Sequence, residues 1–167
     1  MGLSTDEIKD LAEVSALADK ALRLAPNDAL VLGYCGHVFV WAGLTERGAG
    51  CLERSLALNP NNGWVRIRLG LALHANGDPK AGLAHFESFF RLSPRDPNTG
   101  TAHAWSARCY FLMEDFPRAE EAAREAIKLL PGFWLGYLML ALALKAQGEL
   151  RKPFRPCGAC GKPRPTS

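Results

Sequence analysis

The chain has little of what marks a membrane-spanning, secreted or nucleic-acid-binding protein. Its longest apolar run, Leu135 to Leu144, is about half of the ~20 residues a membrane span needs. The opening MGLSTDEIKD lacks both a basic n-region and an apolar h-region, which argues against a secretory leader. Asp6 stands where a myristoylation signal requires Ser or Thr. Charge of one sign is also scarce, with 20 Lys and Arg against 17 Asp and Glu and a net charge of +3. The excess is local, because Arg151, Lys152, Arg155, Lys162 and Arg164 lie in a tail without acids. The remainder carries 15 basic and 17 acidic residues, so no basic face for nucleic acid is implied. Five cysteines in an unsignalled chain read as reduced thiols rather than as a disulfide framework. The expected compartment is the cytoplasm.

What is present is enough for a folded core. The 167 residues are 48% hydrophobic and 22% charged, which suits one globular domain or a short run of repeats. A repeat organises them. Leu24-Ala25-Pro26, Leu58-Asn59-Pro60, Leu92-Ser93-Pro94 and Leu129-Leu130-Pro131 are similar segment ends whose prolines are spaced 34, 34 and 37 residues apart. A fixed period in this range predicts a solenoid of stacked supersecondary units. Gly43, Gly77 and Gly148 each follow a proline by 17 residues, where glycine can take a positive φ and end a helix. In the third unit Glu114-Asp115 occupies that place, a weaker break. Apolar residues recur at helical spacing, as in Leu83, Phe86, Phe89 and Phe90, and in Ala119, Ala122, Ala123, Ala126 and Ile127. One such stripe cannot be buried alone, so the helix pairs must stack on one another.

The period and these positions resemble the tetratricopeptide repeat (TPR) family, a 34-residue helix-turn-helix, over residues 8 to 150. Counted from each closing proline, the family's small first-helix residue falls on Gly36, Gly70, Ala107 and Ala141. Its aromatic or large apolar site falls on Phe39, Leu73, Tyr110 and Leu144. Its small second-helix sites fall on Gly48 and Ser55, on Gly82, and on Ala119 and Ala126. Phe89 departs from that pattern and suggests looser or adapted packing in the second unit. The resemblance implies an all-α, right-handed α-solenoid of about eight helices, the first near Thr5 to Leu24 with Asp6 as a first-turn acid. The units are a partial repeat 5–26, repeats 27–60, 61–94 and 95–131, and a partial repeat 132–150. Beginning and ending inside a repeat implies a fragment of something longer. The string Arg91-Leu92-Ser93-Pro94-Arg95-Asp96-Pro97, with the three-residue insertion after it, is similar to a narrower bacterial subgroup. There the repeats follow a class III adenylate cyclase domain or a winged-helix transcription regulator.

In such solenoids the first helix of each pair lines a concave groove. Carrying the family's positions over gives Leu30, Gly33, His37 and Val40, then Trp64, Ile67, Leu71 and His74. The third and fourth units give Thr101, Ala104, Arg108 and Phe111, and Leu135, Leu138, Leu142 and Lys145. The set is largely apolar, with Arg108 and Lys145 as its basic members. It lacks the Lys/Asn/Arg set with which some members clamp a C-terminal carboxylate. The implied partner is therefore an apolar or amphipathic protein segment. The alternative is that the superhelix packs this face against its own terminus or a neighbouring domain. Trp64, Phe111 and Leu138 are the expected anchors.

No catalytic constellation accompanies the repeat. His37, His74, His85 and His103 have no metalloprotease spacing, and no phosphate-binding loop or nucleophile elbow occurs. Glu120, Glu121 and Glu125 fall on helix faces expected to be solvated. Cys157-Gly-Ala-Cys160 is half a zinc site by spacing, without the second knuckle that would complete four ligands. Cys35, Cys51 and Cys109 read as small packed residues. The chain is thus read as non-catalytic, without metal or cofactor. Residues 151–167 are Pro- and Cys-rich and leave the repeat pattern, either as a disordered extension or as a frameshift product. A missing second helix there would expose residues 133 to 147 and promote self-association.

Overall fold

The computed structural model describes residues 7–148, so Thr5, Asp6 and the expectations for the 151–167 tail, with its Cys157 and Cys160, lie outside the described residues. Eight helices follow in order: α1 (Glu7–Leu24), α2 (Ala29–Trp41), α3 (Thr45–Leu58), α4 (Gly63–Ala75), α5 (Pro79–Leu92), α6 (Thr99–Leu112), α7 (Phe116–Leu129) and α8 (Trp134–Ala146). Among the described residues there is no strand.

Local chemistry sets the helix ends. Asp28 accepts from the backbone N–H of Leu30 at 2.8 Å and of Val31 at 3.0 Å, while Asn62, Asp78 and Asp115 cap α4, α5 and α7 in the same manner. Pro79 and Pro117 stand in the first turns of α5 and α7, where a missing N–H costs nothing. Each pair closes through a turn in which the N–H of Leu44, Asp78 or Asp115 reaches the carbonyl five residues back, on Phe39, Leu73 or Tyr110. The turn needs a left-handed residue. Gly43 (φ 80°) and Gly77 (φ 88°) supply it, and in the third unit Glu114 is held at φ 61° without the freedom of glycine.

Burial is distributed along the stack. Four apolar clusters succeed one another: Ala18 with Phe39 and Cys51; Leu52 with Val65 and Leu69; Ile67 with Phe86 and Phe89; and Ala107 with Ala123 and Met139. Each joins neighbouring helices only, the signature of a quasi-one-dimensional repeat array. Within two pairs the helices approach until backbone meets backbone. A Cβ added at Gly48 would lie 2.7 Å from the carbonyl oxygen of Gly36, and one added at Gly82 would lie 2.7 Å from that of Gly70. In the third pair the matching sites are Ala107 and Ala119, both fully buried.

Phe89 is not loosely packed. It is fully buried, and a Cβ on Gly63 would come within 3.1 Å of two of its ring carbons. One repeat earlier the corresponding contact is Ser55 donating to the Ala29 carbonyl at 2.6 Å. The second unit thus exchanges a small residue on each side for a large ring opposite a glycine, which is adapted packing. Ala141, expected at a small packed site, is exposed, because among the described residues no second helix lies against α8 as α7 lies against α6.

Two glycines in α3 separate these effects. Gly48→Ala should cost about 1–3 kcal/mol by forcing α2 and α3 apart. Gly50→Ala meets nothing within 4 Å and should stabilise by about 0.5–1 kcal/mol through reduced chain entropy. Urea denaturation midpoints of opposite sign are the expected result. Glu114→Gly relieves the left-handed strain, and a gain of about 1 kcal/mol would raise the thermal midpoint by roughly 2–4 °C.

Candidate partner-binding groove

Helices α2, α4, α6 and α8 stand side by side, with contacts between α2 and α4, α4 and α6, and α6 and α8. Their shared face forms an open groove of about 820 Å³. Val40 and Trp41 line it from α2; Arg68, Leu71, His74 and Ala75 from α4; Thr101, Trp105 and Arg108 from α6; Phe133 and Trp134 from the start of α8. The spacings 68, 71, 75 and 101, 105, 108 each describe one face of a helix. None of the lining residues is acidic.

The side chains form two similar clusters, each across a junction of first helices. At the first, Trp64 of α4 lies 4.9 Å from the ring of Tyr34 and 5.4 Å from that of His37, both on α2. The Arg68 guanidinium covers the Trp64 ring at 5.1 Å. At the second, Trp105 of α6 meets His74 of α4 at 5.9 Å, and Arg108 lies 5.6 Å from the Trp105 ring. A histidine on one first helix and a Trp–Arg pair on the next thus recur, displaced by about one helical turn from the repeat register.

These surroundings shift protonation. Burial, aided by the Arg68 charge, lowers His37 to about 4. Burial and then Arg108 lower His74, and burial lowers Arg68. His74 is 8% exposed, and its Nε2, like Arg68 Nε, is buried without a hydrogen-bond partner. Elsewhere, burial raises the thiols of Cys35 and Cys51 and takes Cys109 to about 12, so all three stay protonated and unreactive. Glu120 pairs with Arg124 at 2.6 Å and accepts from Gln147 at 3.0 Å, whereas it was expected to be merely solvated. Among the described residues no group of three or more His, Cys, Asp or Glu could hold a metal ion, and no helix is long and apolar enough to cross a membrane.

The register-derived residues divide. Val40, Leu71, His74, Thr101 and Arg108 line the groove. His37 and Trp64 form the aromatic cluster beneath Arg68. Gly33, Ile67, Ala104 and Leu135 are buried in the stack instead, and a Cβ on Gly33 would come within 2.9 Å of Val65. Phe111 leans on Phe116 at 5.5 Å, Leu142 packs on the last core cluster, and Leu30, Leu138 and Lys145 are exposed. Register reasoning missed Trp41, Arg68, Ala75, Trp105, Phe133 and Trp134. The available signal was tryptophan itself: of the four in the chain, three line the groove and the fourth carries Arg68.

No family model and no curated sequence matches the chain. Solved structures do. MamA superposes with a TM-score of 0.73 at 20% identity, over 89% of this chain and 88% of MamA. YrrB, described as a TPR protein with an unusual peptide-binding site, gives 0.67 at 19% identity over 87% and 74%. The first TPR of Spaghetti (RPAP3), bound to the HSP90 peptide SRMEEVD, gives 0.67 at 15% identity over 72% and 94%. The fold is that of a tetratricopeptide-type solenoid. These likenesses carry over the architecture and its concave face, while the aromatic and arginine lining is read from this chain's own residues.

The histidines make stability pH-dependent. Burial also lowers His85 and His103, so all four bind protons less readily in the folded chain than at the ordinary value of about 6.5. Their contribution to stability is therefore fully present above about pH 6.5 and is lost as the pH falls toward the folded values. The thermal midpoint should drop on acidification from about pH 7 to about pH 5, and His37→Gln should flatten part of that slope.

Proposed function

We propose that this chain is a non-catalytic protein–protein interaction module that binds a peptide segment of a partner in its concave groove. One observation carries the reading: the groove leaves Trp41 75% exposed and Trp134 62% exposed on a concave, largely apolar face. Large aromatic side chains kept in water within a concavity are the usual anchors of interface energy. The peptide in the Spaghetti structure and the peptide-binding site named for YrrB support this use of the fold. On this reading the array comprises a partial repeat 5–26, repeats 27–60, 61–94 and 95–131, and a partial repeat 132–150. Val40, Leu71, His74 and Arg108 contact the partner beside the tryptophans, and Gly33, Ile67 and Leu135 hold the helices behind them. Self-association would use the exposed α8 side chains Tyr137 and Leu138. The narrower reading, regulation of an adjoining adenylate cyclase or winged-helix domain, rests on the 91–97 string and the insertion after it. The gene upstream of Met1 tests it.

Peptides selected on the purified chain from a displayed random library should shift tryptophan emission to the blue on binding. Trp41→Ala and Trp134→Ala should each weaken them by about tenfold or more, corresponding to ~1.4 kcal/mol, with helical circular dichroism unchanged. Selected peptides that bind both variants as well as the parent would refute the groove as the binding surface.

A further inference from the structure

We propose that the groove recognises a segment of apolar–acidic–apolar pattern, with an internal Asp or Glu carboxylate between Arg68 and Arg108 and bulky apolar side chains against Trp41 on one side and Trp134 on the other. The inference rests on the interaction-module reading above and names the chemistry of its partner.

The argument begins with charge. Arg68 and Arg108 project into one groove that no acidic residue lines. Among the described residues neither makes an ion pair, and each guanidinium instead lies on a tryptophan ring. The Arg47, Arg118 and Arg124 side chains, in contrast, pair with Asp19, Asp115 and Glu120. The groove arginines are thus placed and partly dehydrated without a counter-charge, and a guanidinium fork on an aromatic surface is suited to a planar carboxylate. Burial is the larger cause of the lowered His37 and His74, and the charges of Arg68 and Arg108 add to it in the same direction.

A second observation is independent of charge. His74 and Arg68 line the same groove, and His74 Nε2 and Arg68 Nε are each buried without a hydrogen-bond partner. Buried polar atoms are normally satisfied, so two unsatisfied nitrogens in one groove point to an acceptor that arrives with the ligand. A carboxylate is a suitable acceptor for either, because a neutral imidazole can donate from Nε2 and a guanidinium from Nε.

The order of the helices decides between an internal carboxylate and a chain terminus. The basic residues come from α4 and α6, in the middle, while the most exposed aromatics come from α2 and α8, at the two ends. A C-terminal carboxylate at the arginines would leave one aromatic end uncovered. An internal acidic residue with apolar neighbours on both sides covers both.

The test uses the full chain and peptides selected on it from two random libraries, one with both peptide ends blocked by fusion and one with a free C-terminus. Enriched sequences should carry Asp or Glu flanked on both sides by large apolar residues. Synthetic peptides blocked at both ends should lose about tenfold or more in affinity when that Glu is made Gln. Arg68→Gln and Arg108→Gln should each remove most of this Glu-over-Gln preference, with helical circular dichroism unchanged as the report that the variants fold. Blocked peptides that bind the groove with no acid preference would overturn the inference and leave the interaction-module reading intact. A requirement for a free C-terminal carboxylate, or a preference for phosphoserine over Glu, would overturn it in favour of that other anion. Enrichment from neither library would overturn both readings together.

Discussion

The structure depends on how closely the two helices of a pair can approach. At Gly36 and Gly48, and again at Gly70 and Gly82, the backbones touch where any side chain would hold them apart. That contact places the second helix behind the first and turns the first helices toward one open face. The same approach brings Phe39 and Phe86 to full burial between the layers. With the helices further apart, the separate core clusters along the stack would lose the packing that joins each unit to the next.

The groove follows from that arrangement, but its chemistry is a separate layer. First helices standing side by side place a histidine of one against a tryptophan and an arginine of the next, at both the α2–α4 and the α4–α6 junctions. The tryptophan rings bear the guanidinium groups and limit their hydration, and burial keeps the adjacent histidines neutral. Positive charge is thereby concentrated in a largely apolar concavity, where a desolvated anion is held more firmly than on an open surface. The second cluster lies a turn further along its helices than the first. The groove is therefore not a set of identical subsites, and a bound segment meets different side chains as it passes each repeat.

The helix pairs were legible in the sequence because the closing prolines and the glycine turns act locally, whereas the aspartate and asparagine caps were seen only in the structure. Glu114 was legible as a weak break, and its positive φ shows that the turn geometry is imposed by its neighbours rather than by residue type. Phe89 was legible as a departure, but Gly63 as its counterpart was not, since the two are far apart in the chain and meet only on packing. The groove was legible in part. Carrying fixed positions from repeat to repeat found Val40, Leu71, His74 and Arg108. It also selected Gly33, Ile67 and Leu135, which face the interior, and passed over Trp41, Arg68, Trp105 and Trp134.

The sequence by itself determined the architecture: a 34-residue period of apolar stripes, turn glycines and closing prolines admits stacked antiparallel helices and little else, because each signal works within a turn or two of chain. Tertiary structure alone decided which residues face the groove. A place in the repeat does not fix whether a residue meets core or concavity, since Gly33, Ile67 and Leu135 are buried while Arg68 and Trp105 line the groove. It also decided that Arg68 and Arg108, forty residues apart in the chain, share one groove without an acid between them. Charge and hydrogen-bonding demand in that groove arise only when the first helices are brought together.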